Sequence, residues 1–137
     1  FNFKIGSIMR TPYGKYKQYH TSSDDLKFVN NKSLRSSLSM YKRVLFAIEN
    51  NKIYKRYQPN GEIMLSKYGL YDRISKQSNA KFNSNKRTLL FLLNYIDGKL
   101  SLAEIAEKTN QSILNLIEVS NLLEGKKIIY ETKKSVI

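Results

Sequence analysis

Residues 100–131 read LSLAEIAEKTNQSILNLIEVSNLLEGKKIIYE, and this stretch decides the fold of the last part of the sequence. Ser101 with Glu104 three positions later forms a capping box, which predicts a short helix running to about residue 108. A turn at Thr109 and Asn110 separates it from a second helix over residues 111–124, where apolar side chains recur every three or four positions. Gly125 is a typical helix stop.

A further helix precedes this pair, and a strand follows it. The leucine-rich residues 86–96 predict the preceding helix, and residues 126–131 (KKIIYE) have the apolar and aromatic content of a strand. Helix, short helix, tight turn, helix and strand is the element order of a winged helix-turn-helix domain. We therefore predict a winged-helix domain over residues 86–137.

The helix that would read DNA in such a domain carries no basic residue. Its candidate exposed residues are Gln111, Ser112, Asn115, Glu118 and Asn121. DNA-binding proteins contact phosphates with Lys and Arg, and Arg to guanine is the commonest base contact. We expect this domain to serve packing or protein contacts and not to bind DNA. The alternative is a basic winged-helix nucleic-acid-binding protein, with Lys126 and Lys127 as contacts and residues 1–85 as a charged extension.

The positive charge lies mostly in the first part of the chain. Residues 1–85 carry 16 Lys and Arg against 5 Asp and Glu, whereas residues 86–137 carry 8 against 6, within a total of +13 over 137 residues. Charge of this kind speaks to solubility and non-specific binding, and we interpret most of it as solvated surface. The sequence has no cysteine, which excludes disulfides, thiolate nucleophiles and Cys-ligated zinc.

No targeting segment is recognisable, and the longest apolar run, residues 89–93, is too short to span a bilayer. We expect a cytoplasmic protein with no membrane partner. Alternating apolar residues predict a strand over residues 1–11, followed by a turn in RTPYG (residues 10–14). Apolar spacing predicts a helix over about 32–50, and residues 53–57 predict a short strand. The polar residues 74–85 predict a linker.

The only histidine lies in QYHTSSDDL, residues 18–26. His20 is either a metal ligand or a surface residue beside an ordinary helix cap. A hydrolytic zinc ion needs three protein ligands, and co-catalytic pairs need more. The carboxylates of residues 1–85 are scattered, and this chain has no second His and no Cys. A complete catalytic metal site therefore cannot be built from it.

Residues 8–29, IMRTPYGKYKQYHTSSDDLKFV, resemble the C-terminal ligand segment of bacterial co-catalytic zinc aminopeptidases. In that family a His-Thr-x-x-Asp sequence supplies the last zinc ligand, matched here by His20, Thr21 and Asp24. The extended pattern resembles an uncharacterised aminopeptidase-like subgroup often labelled as polysaccharide-biosynthesis proteins, which ends in a winged helix. A second block of that subgroup is matched by Gly61, Glu62, Leu65, Gly69, Leu70 and Tyr71, although Ile63 stands where the subgroup commonly has Pro.

The resemblance implies an α+β fragment. Residues 1–73 would form the C-terminal strand and helix portion of an α/β zinc-peptidase domain, followed by the linker and the winged-helix domain. The remaining ligands and the Glu base would lie upstream, so zinc would belong to the full-length parent and the fragment would be inactive and hold none. A peptidase fold that has lost its metal is a further alternative.

Individual residues receive roles from the same resemblance. His20 would bind zinc as a neutral imidazole, and Asp24 would hold that imidazole or cap the following turn. Arg10 and Tyr19 would contact a substrate carboxylate or a developing oxyanion, with structural packing as the alternative. The partner would be the missing N-terminal part of the same protein. Unmatched strand edges and apolar surface also predict a homo-oligomer.

Overall fold

The computed structural model describes residues 6–70 and 80–132. Its elements are helix α1 (Asn31–Glu49), strand β1 (Tyr54–Arg56), a 3₁₀ helix (Leu65–Tyr68), helices α2 (Ala80–Tyr95), α3 (Leu102–Thr109) and α4 (Ile113–Gly125), and strand β2 (Ile129–Glu131). The chain divides into two compact units, Phe1–Leu45 and Phe46–Ile137, and the division falls within α1. The fold is α+β, as predicted.

The second unit contains the predicted winged helix-turn-helix. Strand β1 pairs antiparallel with β2, with Lys55 opposite Tyr130, and Ile53 forms a single bridge with Ser101. The apolar faces of α2, α3 and α4 pack together under this small sheet. The core includes Leu89, Leu92, Ile96, Leu102, Ile105, Leu116, Ile117, Leu123 and Ile129, each buried.

The capping box predicted at the start of α3 is confirmed. The Ser101 hydroxyl accepts a hydrogen bond from the Glu104 amide, and the Glu104 carboxylate accepts from the Ser101 amide at 2.7 Å. Asn110 ends this helix in the left-handed region at φ 51°. Gly125, predicted as the stop of the last helix, is instead its final residue. The left-handed residue after that helix is Lys127, at φ 55°.

The predicted linker over residues 74–85 is wrong in its last part. Helix α2 begins at Ala80, six positions before the predicted start at residue 86. Residues 80–85 have no apolar periodicity to signal a helix, but they also contain no Gly or Pro to stop one. The helix therefore extends through a polar sequence, and residues 74–79 of the predicted linker lie outside the described residues.

The predicted domain boundary at residue 73 also differs from the structure. Ile53, Tyr54 and Leu70 are buried with the helices of the second unit, which therefore begins near residue 46. Gly69 takes the left-handed conformation, φ 64°, that ends the 3₁₀ helix and directs Leu70 into this core. The segment of residues 61–70 thus belongs to the winged-helix unit.

The first unit consists of turns followed by most of α1. The turn in RTPYG is confirmed, since the Lys15 amide donates to the Pro12 carbonyl and Gly14 has φ 72°. Residues 6–10 form no regular element, and residues 1–5 of the predicted strand lie outside the described residues. None of the described residues 6–45 is buried. Across the described part of the chain, no helix is both long and apolar enough to cross a bilayer.

Candidate functional site

The segment around His20 is a chain of consecutive turns. The Thr21 amide and hydroxyl both donate to the Gln18 carbonyl, at 3.1 and 3.0 Å, and the Asp24 amide donates to the Thr21 carbonyl at 3.1 Å. His20 lies at the apex of the first turn, with φ 55°. A residue other than glycine rarely adopts this left-handed conformation, and histidine is among the residue types that do so more often. The turn presents the imidazole to solvent, where it is exposed.

Aromatic rings support this turn. The Tyr19 ring meets the His20 imidazole edge-on at a centroid distance of 4.2 Å, and Tyr16 packs edge-on against Tyr19 at 5.5 Å. Tyr16 also stacks on Phe28 at 5.8 Å, and Tyr13 lies 6.0 Å from Tyr19. Such contacts add stabilisation beyond the burial of ring area. Tyr19 thus orients the imidazole through ring packing.

The carboxylate that caps the following turn is Asp25. Its Oδ1 accepts hydrogen bonds from the amides of Lys27 and Phe28, at 2.8 and 3.2 Å. The helix-cap role predicted for Asp24 is therefore corrected. Asp25 lies two positions before Lys27, and this is the spacing over which the side chain of an Asx turn bonds to a backbone amide. Asp24 contributes its backbone amide to the turn and is exposed. Its role beside a metal-bound imidazole stays a prediction.

Arg10 is held by the first helix. Its guanidinium donates to the Ser36 hydroxyl at 2.8 Å and to the Ser33 carbonyl at 3.4 Å. Together with Tyr13, Tyr16 and other side chains, Arg10 lines an open cavity of about 580 Å³ within the first unit. These bonds fix the position of the guanidinium. Both roles predicted for Arg10, substrate contact and structural packing, stay predictions.

Among the described residues, no group of three or more His, Cys, Asp or Glu side chains could hold a metal ion. The described part of the chain offers one exposed imidazole oriented by Tyr19, which fits the role of one zinc ligand and no more. A zinc ion would need its other ligands from elsewhere.

The winged-helix surface carries little that would bind a polyanion. Helix α4 has no Lys or Arg, and Glu118 is exposed on it. Gln111, just before α4, accepts a hydrogen bond from the Thr88 hydroxyl at 3.0 Å, so that side chain is committed within the domain. Lys126 and Lys127 are exposed after the helix. Two lysines give a small footprint for phosphate binding.

An exposed apolar stripe runs along α1. Its five members are 43–66% exposed and alternate at four- and three-residue spacing: Leu34, Leu38, Tyr41, Leu45 and Ile48. This 4-3 repeat keeps all five on one face, as in the seam of paired helices. The sequence predicted the spacing, but only the structure shows that this part of the chain leaves the face open. Large contiguous apolar surface of this kind marks a site of contact.

Comparisons with known proteins match both units. Residues 52–131 match a family described as winged helix-turn-helix, and residues 1–51 match a domain of unknown function (DUF4910). A Clostridium acetobutylicum protein, named for polysaccharide biosynthesis and an aminopeptidase-like domain, is 39% identical over 108 residues. These cover 79% of this chain and 24% of that protein. A crystal structure of a C. acetobutylicum protein named as a peptidase is 29% identical, with a TM-score of 0.74, covering 90% of this chain and 26% of that one.

This chain spans about a quarter of the length of either relative. The resemblance to aminopeptidase-like proteins with a C-terminal winged helix, inferred from residues 8–29 and 61–71, is confirmed by these matches.

Proposed function

This chain belongs to the winged helix-turn-helix family through residues 52–131, and from that premise we propose that it is the C-terminal part of a zinc-dependent aminopeptidase-like hydrolase linked to polysaccharide biosynthesis. The observation that carries the proposal is the match to one relative named for both features. That match extends over 108 residues, more than either structural unit contains, so it includes residues from both.

In this proposal His20 supplies one ligand to the zinc site of the full-length protein. A zinc ion bound there would polarise the scissile carbonyl and lower the pKa of a bound water. The contribution of this chain would be the turn that carries the imidazole, which the Gln18–Thr21 hydrogen bonds close and against whose imidazole the Tyr19 ring packs. The chain alone lacks the other ligands and the general base, so we expect it to be inactive.

The partner of this chain would be the remainder of the same protein, and the apolar stripe of α1 is the surface that it would cover. Helix α1 carries Lys32, Arg35, Lys42 and Arg43 against a single acidic residue, Glu49. Two copies paired through this helix would bring like charges together, whereas an apolar face with acidic flanks would complement them. Without the remainder, the stripe would drive homo-oligomerisation.

The winged-helix unit would serve packing and protein contacts. Its core is complete among the described residues, and its recognition helix lacks basic groups. The fold alone does not specify DNA binding, since function depends on the residues placed on it.

The test is elemental analysis of zinc in a chain extended at its N-terminus to the full length of its relative, as wild type and as His20→Ala. We expect about two zinc ions per chain, as in co-catalytic sites, falling in the variant. Lys17→Ala, at an exposed position in the same run of turns, is the matched control and should keep its zinc. Zinc absent from the wild type would refute the metallohydrolase, and zinc unchanged by His20→Ala would refute the ligand role.

A further inference from the structure

The open cavity of the first unit, of about 580 Å³, is lined by a single charged side chain, that of Arg10. The rings of Tyr13, Tyr16 and Phe28 form part of its wall, and the other lining residues are apolar or carry a hydroxyl group. No acidic residue is among them. A cavity of a few hundred Å³ with apolar walls and a few polar groups is typical of small-molecule sites.

The Arg10 guanidinium lies on the α1 side of this cavity and keeps donors for a ligand. Nη1 donates to the carbonyl of Ser33, a residue that also lines the cavity, and Nη2 donates to the Ser36 hydroxyl, both at exposed positions. A guanidinium has five N–H donors, so three make no hydrogen bond within the described part of the chain. Arg10 is itself exposed, so a ligand in the open cavity can reach them.

No carboxylate of the described first unit neutralises this guanidinium. Residues 6–45 carry eight Lys and Arg against two acidic residues, Asp24 and Asp25. No ion pair forms among these described residues, and the Asp25 carboxylate accepts from backbone amides of its own turn. The cavity therefore favours an anion and disfavours the ammonium end of a peptide. A carboxylate is the anion that matches a guanidinium through two parallel hydrogen bonds.

The aromatic wall favours a ligand with an apolar body. Tyr16 stacks on Phe28 with ring planes 18° apart, while 41% of Phe28 and 68% of Tyr13 remain exposed. Covering these rings removes apolar area from water, and contacts between aromatic rings add to that gain. A small anion such as acetate would leave the rings uncovered. The ligand that fits both features carries a carboxylate next to an apolar or aromatic group.

The same rings connect the cavity to the candidate zinc ligand. Tyr16, in the cavity wall, packs against Tyr19 at 5.5 Å, and Tyr19 meets the His20 imidazole at 4.2 Å. One ring thus contacts both the cavity wall and the imidazole. A substrate bound in the cavity would lie beside the proposed zinc site.

We propose that this cavity binds the free carboxylate end of a short peptide substrate whose last residue is apolar or aromatic. Arg10 binds the carboxylate, and the rings of Tyr13, Tyr16 and Phe28 pack against the side chain. The assignment to a substrate rests on the proposed function, whereas the binding of an apolar carboxylate does not. An acidic side chain from the remainder of the protein would offer Arg10 the same chemistry, so the experiment separates these two sources.

The experiment is titration with 3-phenylpropanoate, which carries a ring and a carboxylate, followed by ligand-observed NMR. Both the full 137-residue chain and the metal-free, N-terminally extended protein are titrated. Two analogues each remove one feature: 3-phenylpropanamide lacks the charge, and propanoate lacks the ring. We expect saturable binding of 3-phenylpropanoate to both proteins, and binding of each analogue that is weaker by about tenfold or more.

Substitutions test the charge and the ring separately. Arg10→Gln should weaken the binding of 3-phenylpropanoate by about tenfold or more, whereas Arg35→Gln, at an exposed position of α1 outside the cavity lining, should not. Since Arg10 also bonds to α1, its variant is checked by circular dichroism. Tyr13→Ala gives an independent result if Arg10→Gln unfolds, because it removes an exposed ring and should also weaken binding.

A kinetic comparison tests the assignment to a substrate. On the zinc-loaded extended protein, Leu-Phe should have a KM about tenfold below that of Leu-Phe amide, because only the free carboxylate pairs with Arg10. Arg10→Gln should remove this difference. An equal KM for the two peptides in the wild type would overturn the assignment to a substrate.

Other outcomes would overturn the proposal as well. These are absence of 3-phenylpropanoate binding, equal binding of 3-phenylpropanamide, or unchanged binding in a folded Arg10→Gln variant. Binding to the 137-residue chain but not to the extended protein would show that the remainder occupies the cavity with its own side chain. The zinc measurement is separate. Binding in an extended protein without zinc would refute only the metallohydrolase, and zinc without binding would refute only this site.

Discussion

Replacing one buried and one exposed leucine by alanine tests which part of this chain carries its stability. Leu123, on α4, is 0% exposed, whereas Leu38, on α1, is 56% exposed. Truncating a fully buried leucine removes its transfer free energy and leaves a cavity, at a cost of about 2–5 kcal/mol. Truncating an exposed leucine on a helix changes stability by less than about 0.5 kcal/mol, because little contact is lost and alanine is a good helix former.

Urea and thermal denaturation of the full chain measure both effects. The chain has ten tyrosines and no tryptophan, so circular dichroism at 222 nm is the suitable probe. Each kcal/mol shifts the melting temperature of a 60–100-residue domain by about 4–8 °C. Leu123→Ala should therefore melt at least about 8 °C below wild type, and Leu38→Ala within about 4 °C of it.

An equal loss of stability in the two variants at low protein concentration, where the chain is monomeric, would refute the argument that the α1 stripe is uncovered in the single chain. A concentration series would then identify the cause. Destabilisation by Leu38→Ala that grows with protein concentration would show that a second copy covers the stripe, since mass action makes a dimer's stability depend on concentration. In the N-terminally extended protein, the same substitution should cost about 2 kcal/mol or more if the remainder buries this face.

Two further predictions concern the winged-helix unit. Ser101→Ala should cost about 1 kcal/mol by removing the side-chain cap of α3. Ser112→Ala is the matched control with little expected loss, because Ser112 makes no side-chain capping bond; an equal cost for both in urea denaturation would contradict the capping argument. Burial raises the pKa of the Tyr54 phenol above its ordinary value of 10.0, so the folded state favours the neutral form. The contribution of the neutral Tyr54 phenol to the free energy of unfolding is complete below the unfolded pKa. It is lost as pH rises through the higher folded pKa. Urea denaturation between about pH 9 and 11 should show that the free energy of unfolding falls less with pH in Tyr54→Phe than in wild type. The same dependence of the unfolding free energy on pH in both proteins would contradict this. The Glu131 hydrogen bond raises the pKa of Lys52 in the same direction, so part of the alkaline loss should persist.

Local features of this fold were predictable from sequence because local contacts produce them. The capping box of Ser101 and Glu104 joins residues three positions apart, and its hydrogen bonds form as the spacing predicts. The start of α2 at Ala80 was not predictable, because residues 80–85 carry no apolar pattern and only the continuing backbone hydrogen bonds of a helix extend it.

Non-local burial explains the misplaced domain boundary. Tyr54 and Leu70 lie far in sequence from α4, yet both are buried in the core that α4 completes. The short strand predicted over residues 53–57 does not indicate that partner. The candidate site shows the same limit at smaller scale, since two adjacent aspartates offer equal sequence evidence for a cap and only the structure identifies Asp25.

The two units differ in what could hold them folded. Ordering the backbone costs roughly 1–2 kcal/mol per residue, and burial of apolar surface is the main term that offsets it. The winged-helix unit has a cluster of thirteen buried apolar residues to do so, whereas none of the described residues 6–45 is buried. We therefore expect the turn that presents His20 to gain stability from surface supplied by the remainder of the protein. A relative four times as long, with an aminopeptidase-like domain in its name, is consistent with that requirement. It follows that the geometry of His20 should become rigid only when the stripe of Leu34 to Ile48 is covered, so burial of α1 and zinc binding should be gained together in the extended chain.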